Sequence, residues 1–213
     1  MIKEIFTLYI DRWKFFLNLT WEHIEISMIA ILIAMIIGLG LGIIISQYRK
    51  SSSYILGLTN FIYTIPSIAL FGFLIPFSGI GNITAIIALS IYALLPMVRN
   101  TYTGITGIDP EITEAARGMG STPFQLLYKI KLPLAFPVIL SGIRNMVVMT
   151  IALAGIAAFI GAGGLGVAIY RGITTNNSAM TVAGSLLIAL LALLTDWGIG
   201  RYETHIKKKR KLI

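Results

Sequence analysis

The segment Glu114–Pro133 reads EAARGMGSTPFQLLYKIKLP, and it is a polar, basic insert between long apolar runs. Of the 213 residues, 56% are hydrophobic and only 12% are charged. Soluble domains carry about 25% charged residues, and apolar runs near twenty residues have the length of a membrane-spanning helix. The sequence therefore predicts an all-α membrane protein in which this insert lies in water.

Five apolar segments are candidates for membrane spans. At a rise of about 1.5 Å per residue, about twenty helical residues cross a hydrocarbon core of roughly 30 Å. Helices are expected because an unpaired strand leaves its backbone polar groups unsatisfied in lipid. The predicted spans are 24–47, 54–77, 83–98, 136–160 and 179–199. The predicted domains are an N-terminal segment 1–20, a transmembrane domain 21–200 with a polar loop at 101–135, and a basic tail 201–213.

The N-terminal segment has apolar residues at helical spacing. Its charged and polar residues occupy much of the remaining surface, which predicts an amphipathic helix over residues 1–18 that lies in the membrane interface. An ordinary flank packed on the helix bundle is the alternative. No short apolar core leads to a small-residue cleavage site, so a cleavable signal peptide is not expected. The apolar positions are Ile2, Ile5, Phe6, Tyr9, Trp13 and Phe16.

Lysine and arginine are distributed unevenly between the two sides of the spans. With the N-terminus outside, the outer segments hold Lys3, Arg12, Lys14 and Arg171. The inner segments hold Arg49, Lys50, Arg99, Arg117, Lys129, Lys131, Arg201, Lys207, Lys208, Lys209, Arg210 and Lys211. Because cytoplasmic loops are rich in these residues, we expect a multi-pass protein of the cell membrane with its N-terminus outside and its C-terminus in the cytoplasm. The net charge of +8 then reflects topology rather than nucleic-acid binding.

Local signals divide the polar insert into two short helices. Asp109 is a suitable N-cap and is followed by a proline at the first helical position. Gly118 and Gly120 are expected to end this helix. Residues 122–125 have the pattern of a capping box for a second helix, which is expected to stop before Pro133.

The insert resembles the EAA loop of permease subunits of bacterial ABC importers. The pattern is EAA at 114–116, a glycine at 120, and IKLP at 130–133 after nine residues. The resemblance implies that this coupling loop (101–135) docks on a cytoplasmic ABC ATPase subunit, which binds ATP and Mg. No cofactor, metal or catalytic residue is expected in the chain itself. The implied coupling residues are Glu114, Ala115, Ala116, Gly118, Gly120, Ile130, Leu132 and Pro133.

Three further segments are similar to the permeases of osmoprotectant importers, which carry glycine betaine, carnitine or choline. They are YTIPS at 63–67, SGIR at 141–144 and FIGAGGLG at 159–166. The permease of the methionine importer shares the five-span layout and a similar glycine run, and it is the nearest alternative. The resemblance implies a type I ABC importer fold of methionine-permease type. It also implies a second permease copy or paralogue and an extracellular substrate-binding protein.

Pro66 interrupts the second span and is expected to kink it beside a pore. The candidate pore-facing residues are Tyr63, Pro66, Ser67, Asn145, Met146 and Met149, with plain helix packing as the alternative. A quaternary ammonium ion could pass the aromatic rings of Tyr63, Phe71, Phe73 or Tyr92 by cation–π attraction.

The glycine run at 161–166 lies at the outer mouth in this topology. Gly161, Gly163, Gly164 and Gly166 are explained by close helix packing or by a flexible outer gate. A dinucleotide-binding fingerprint is not supported, because no strand precedes the run.

Glu25 lies near the outer edge of the first predicted span, and Arg144 and Asp196 are the charges most clearly within the spans. Charges in lipid pair or line water, so we expect an ion pair between the fourth and fifth helices, within one subunit or between two. The cations at 207–211 are interpreted as a topological anchor, with attraction to anionic lipid as the alternative.

Other functional classes lack the residues that they need. A self-sufficient secondary transporter would require ion-coupling acids near the middle of the membrane, and none is evident. An intramembrane enzyme would require a clustered nucleophile and base or metal ligands. The chain has no cysteine, and His23 and His205 lie near opposite ends.

Overall fold

The computed structural model of the chain describes residues 1–209, and every regular element in that range is helical. The elements are α1 (Ile2–Asp11), α2 (Trp13–Gln47), α3 (Arg49–Thr64), α4 (Ser67–Ser78), α5 (Asn82–Thr106), α6 (Pro110–Gly118), α7 (Pro123–Gln125), a π-helical turn (Leu126–Lys131), α8 (Leu132–Ala154), a 3-10 helix (Ile156–Ile160), α9 (Gly166–Thr174) and α10 (Ser178–Lys209). The all-α prediction is confirmed.

Within residues 1–209, four helices are long and apolar enough to cross a membrane, and α3 with α4 makes a fifth crossing if the bent pair counts as one. The four are Trp13–Gln47, Asn82–Thr106, Pro123–Ala154 and Ser178–Lys208. The predicted spans 24–47, 83–98 and 179–199 each lie within one of these helices, which continue beyond the apolar cores into more polar residues. The predicted span 136–160 lies in α8 as far as Ala154, and its last residues form the separate 3-10 helix Ile156–Ile160.

The second predicted span, 54–77, is wrong as a single kinked helix. Pro66 stops α3, and α4 leaves at an angle of 99°. Proline lacks an N–H donor and excludes the preceding residue from helical geometry. Ile65 is accordingly extended, with φ −67° and ψ 127°, and its carbonyl accepts a hydrogen bond from the Tyr92 hydroxyl of α5. The interruption is therefore a stabilised break.

The N-terminal amphipathic helix is shorter than the predicted 1–18. It ends at Asp11, and residues from Trp13 onward begin the long helix α2. One face of α1 packs against α10, with Ile5 buried and the Tyr9 hydroxyl 2.8 Å from the Ala183 carbonyl oxygen. Ile2, Phe6 and Ile10 remain exposed on the other side of α1. The structure therefore shows the packed flank that was the alternative, and the interfacial position of the exposed side stays a prediction.

The close packing of α2 on α5 forms the centre of the bundle. A Cβ added at Gly42 would lie 2.5 Å from the Thr101 Cβ, and one at Gly38 would lie 2.7 Å from Met97 side-chain atoms. Small residues allow such backbone approach in membrane helices. The buried residues Ile31, Ala34, Met97 and Met146 continue this core toward α8.

Helix α10 continues through residues 201–209, so the described part of the predicted basic tail is helical. Lys207 points toward the bundle and donates to Glu203 at 2.7 Å. Residues 210–213 of the tail, including Arg210 and Lys211, lie outside the described range.

Candidate functional site

Local capping builds the coupling loop as the sequence predicts. Asp109 Oδ1 accepts a hydrogen bond from the Glu111 amide at 2.9 Å, with Pro110 at the first helical position. Helix α6 ends at Gly118, and Gly120 follows with φ +83° and donates its amide to the Arg117 carbonyl at 2.9 Å. Such a left-handed conformation favours glycine. The predicted capping box at 122–125 is also present.

The prediction that the second loop helix stops before Pro133 is wrong. A wider π-helical turn at Leu126–Lys131 precedes the proline, and the Leu132 amide donates to the Leu127 carbonyl five residues back. This changed register lets the helix pass the proline ring, which would clash in a regular α-helix interior. As a result, Pro123–Ala154 forms one continuous rod of 32 residues from the loop into the membrane.

The residues implied in coupling do not share one surface. Glu114, Ala115, Gly118 and Gly120 are exposed, whereas Ala116 is 2% exposed because it lies on the side of α6 that faces the π-helical turn. Ile130, Leu132 and Pro133 are half-buried, and Leu132 packs against the core beneath the loop. The first group can meet a partner, and the second anchors the loop.

The coupling loop also carries an exposed apolar face, which was not predicted from the sequence as part of the docking surface. Met119, Phe124 and Tyr128 are 81%, 69% and 55% exposed. The rings of Phe124 and Tyr128 lie 4.5 Å apart between centroids, so they form one aromatic patch. Large apolar side chains in a segment expected in water were the available signal, because such clusters mark interaction sites.

A small cavity of about 200 Å³ separates the coupling loop from the end of α2. Gln47 borders it on the α2 side, and Arg117, Ser121 and Lys131 border it on the loop side. The loop therefore contacts the bundle mainly through the continuous rod rather than through a filled interface with α2.

Two of the candidate pore residues meet beside the broken helix. The Tyr63 hydroxyl lies 3.3 Å from Met149 Sδ, and its ring meets that of Tyr92 edge-on at 5.9 Å. Pro66 is exposed at the break and Ser67 is half-buried. This cluster joins α3, α5 and α8 at one level of the bundle.

The two other candidate pore residues lie on different sides of α8. Asn145 is exposed, one helical turn before Met149. Met146 is fully buried in the core between α2, α5 and α8, because a one-residue step turns a side chain by about 100° around a helix. Met146 is therefore a packing residue in this structure.

The glycine run is held at the opposite end of the bundle from the coupling loop. The Gly163 amide donates to Asn82 Oδ1 at 2.8 Å, and the Gly164 amide donates to Glu22 Oε2 at 3.1 Å. Gly161 and Gly164 have positive φ values of 74° and 90°, and a Cβ at Gly166 would collide with the Gly155 carbonyl. Close packing is therefore present here. The sequence did not predict Glu22 and Asn82 as partners of the glycine run, because they come from distant helices.

The predicted ion pair between Arg144 and Asp196 is confirmed within one chain. Arg144 Nε and Nη2 contact the two Asp196 carboxylate oxygens at 2.6 Å each, the bidentate geometry that strengthens such pairs. Glu203 extends the pair into a cluster, accepting from Ser141 Oγ at 2.6 Å and from Lys207 Nζ at 2.7 Å. This polar cluster joins α8 to the C-terminal half of α10.

Known proteins are similar to this chain in sequence and in fold. Residues 31–208 match a family described as the binding-protein-dependent transport system inner membrane component. The osmoprotectant import permease protein OsmW of Salmonella typhimurium is 42% identical over 205 residues, which cover 94% of this chain and 95% of OsmW. The glycine betaine/carnitine/choline transport system permease protein OpuCD of Bacillus subtilis is 39% identical over 214 residues, with 99% and 93% covered. A chain of the MetNI methionine ABC transporter, solved in inward-facing conformations, is 25% identical with a TM-score of 0.77, covering 87% of this chain and 93% of that one.

Proposed function

Since the chain belongs to the family of binding-protein-dependent transport system inner membrane components, we propose that it is the permease subunit of an ATP-driven importer for quaternary-ammonium osmoprotectants. Relatives named for osmoprotectant, glycine betaine, carnitine or choline transport are similar over nearly the whole chain. The observation that carries the coupling mechanism is the rod Pro123–Ala154, which joins an exposed loop to the membrane-spanning bundle without a break.

The coupling loop is the proposed contact with a cytoplasmic ABC ATPase. Glu114 and Ala115 supply the exposed start of the docking face, and Met119, Phe124 and Tyr128 supply apolar area. ATP and Mg belong to that partner, and this chain requires no cofactor of its own. The excess of lysine and arginine near this end of the bundle supports a cytoplasmic loop and C-terminus with an external N-terminus.

Movement of the docked loop passes into the bundle through α8. Since the loop helix and α8 are continuous, a displacement at Phe124 is carried along the rod as a rigid-body motion. The polar cluster around Arg144 then carries α10 with α8. Closure of two ATPase subunits on ATP binding would move two such rods together and reverse the access of the cavity between them.

The break at Pro66 is the proposed lining of the translocation path. Tyr63 places an exposed aromatic ring beside it, with the buried ring of Tyr92 packed behind, and Asn145 adds an exposed amide. Aromatic faces attract quaternary ammonium ions, which suits betaine, carnitine and choline. One chain supplies half of such a path, so a second permease copy or paralogue related by two-fold symmetry completes it.

The glycine run is the proposed outer gate. Glu22 and Asn82 hold its amides at the end of the bundle away from the coupling loop, where an extracellular substrate-binding protein would deliver its ligand. Opening of the gate would require these hydrogen bonds to break or to move with the run.

The function is tested by uptake into proteoliposomes that contain the permease, its ATPase and its binding protein. We expect ATP-dependent uptake of radiolabelled glycine betaine, carnitine or choline. Similarity to the chain of the methionine transporter makes methionine the second candidate substrate, and uptake of methionine alone would replace the osmoprotectant assignment. Equal uptake without ATP would contradict the coupling mechanism.

A further inference from the structure

An open cavity of about 680 Å³ lies along the C-terminal part of α10, next to Arg144 of α8. Its wall includes Arg144, Asp196, Trp197, Arg201, His205 and Lys208, and we call this group the cationic pocket. The transport mechanism proposed above uses Arg144 for its contact with Asp196, and it leaves the rest of the pocket without a role. From its charge and position, we infer that the cationic pocket binds the headgroup of an anionic phospholipid.

The charges of the cationic pocket favour an anionic ligand. Asp196 occupies the Nε and Nη2 atoms of Arg144, and Glu203 is buried with Lys207 and Ser141. Arg201 and Lys208 are exposed, and no carboxylate within residues 1–209 forms an ion pair with either of them. The pocket therefore presents two uncompensated cations and a histidine, which suits a phosphate group.

The residues of the cationic pocket lie at the depth expected for lipid headgroups. Counted from Ser178 at about 1.5 Å per residue, roughly 30 Å of helix ends near Trp197, and tryptophan is enriched at membrane–water interfaces. The Arg201 guanidinium lies over the Trp197 ring at 5.2 Å, about 6 Å further along the helix. Lys208 is two turns beyond, where its long side chain can reach back toward the headgroups.

An exposed apolar surface of α10 leads to the cationic pocket. Only 22% of the most apolar window of α10 is buried, against 56% in α5. Leu186, Leu190, Leu193 and Leu194 are exposed along α10 and run toward Trp197. An acyl chain can lie on this stripe while its phosphate reaches Arg201, so one phospholipid satisfies both features.

The same charges disfavour a second copy of the chain as the occupant. A two-fold contact through the inner end of α10 would bring Arg201 and Lys208 close to their own copies. Among the described residues, Asp196 and Glu203 are the acids at this end of α10, and both are already paired. Like charges that face each other without compensation oppose association, whereas an anionic lipid supplies the missing charge.

The site can be probed through Trp197 itself, because the chain has three tryptophans. In the full chain carrying W13F and W21F, reconstituted in phosphatidylcholine bilayers, Trp197 is the sole tryptophan. We expect brominated phosphatidylglycerol to quench its fluorescence at a far lower mole fraction than brominated phosphatidylcholine. The preference should weaken as salt rises, because exposed charges are screened.

Removal of the two free cations provides the matched comparison. Adding R201Q and K208Q should weaken the phosphatidylglycerol preference on the order of 30-fold, from about 5-fold per cation. The control K3Q and K14Q removes the same charge from the N-terminal segment and should leave the preference unchanged. Unchanged thermal unfolding of both variants would show that the fold is intact.

Four outcomes would overturn the inference. Equal quenching by the two brominated lipids would show that charge does not select the occupant. Absence of quenching by either lipid would place a protein surface over Trp197. Loss of the preference in millimolar inorganic phosphate would make the ligand a free anion, and an equal loss in the control variant would reduce the effect to net charge.

Discussion

Gly120 offers a test of the coupling loop that isolates backbone conformation from space. Its φ of +83° lies in the left-handed region, and a Cβ there would meet no heavy atom within 4 Å. Gly118, two residues earlier, has the same open surroundings but no positive φ. Substitutions at the two sites therefore add the same atoms in similar surroundings, and only those at Gly120 strain the chain.

The expected loss follows from the left-handed penalty, which is about 1–2 kcal/mol for an ordinary residue. For Gly120→Val, we expect a penalty at or above the upper end of this range, because valine is β-branched. A penalty of about 2 kcal/mol lowers the ratio of the native loop conformation to altered ones roughly 30-fold. Gly120→Asn should be mildest because asparagine tolerates this conformation, Gly120→Ala should be intermediate, and Gly118→Ala should be close to wild type.

The assay is binding of the partner ATPase to the reconstituted permease, followed by ATP-dependent uptake. Both should fall in the order Asn, Ala, Val, while the amount of inserted permease stays constant. If Gly120→Val bound the ATPase and transported as well as Gly118→Ala did, the fixed loop geometry would have no part in coupling.

Three further substitutions test the bundle, the polar cluster and the path. Gly42→Ala should destabilise the chain by about 1–3 kcal/mol through overpacking. Gly40→Ala should not, because its Cβ would meet nothing within 4 Å. The unfolding temperatures of the two variants in detergent provide the comparison. Arg144→Gln should lower the unfolding temperature, and adding Asp196→Asn should lower it little further, because both remove one interaction; additive losses would mean that the residues act separately. Tyr63→Ala should raise the KM for betaine uptake by about 2- to 30-fold through loss of a cation–π contact, while Tyr63→Phe retains the ring; an equal effect of both would contradict the role of the ring.

Features set by neighbouring residues could be predicted from the sequence. The caps at Asp109 and Thr122 depend on groups within three residues, and both are present in the structure. The Arg144–Asp196 pair was predictable for a different reason, because two opposite charges in otherwise apolar helices have few alternatives to pairing. Both inferences needed only residue type and spacing.

Features set by the packing of distant elements could not be predicted. Pro66 indicated an interruption of the second span. The 99° angle between α3 and α4, however, depends on the packing of α4 in the bundle and on the hydrogen bond from Tyr92. Pro133 indicated a helix end, yet a π-helical turn carries the helix past it. The hydrogen bond from Gly164 to Glu22 spans 142 positions, and no local pattern encodes such a contact.

The coupling loop can be tested most directly at Met119, because the chain has no cysteine and Met119→Cys would be its sole thiol. Met119 is 81% exposed on the loop. We expect a membrane-impermeant maleimide to label Met119→Cys in inside-out vesicles that hold the permease alone, and addition of the ATPase to protect it. Labelling from the outside of intact cells, or equal labelling with and without bound ATPase, would contradict the proposal that this loop is the cytoplasmic contact with the ATPase.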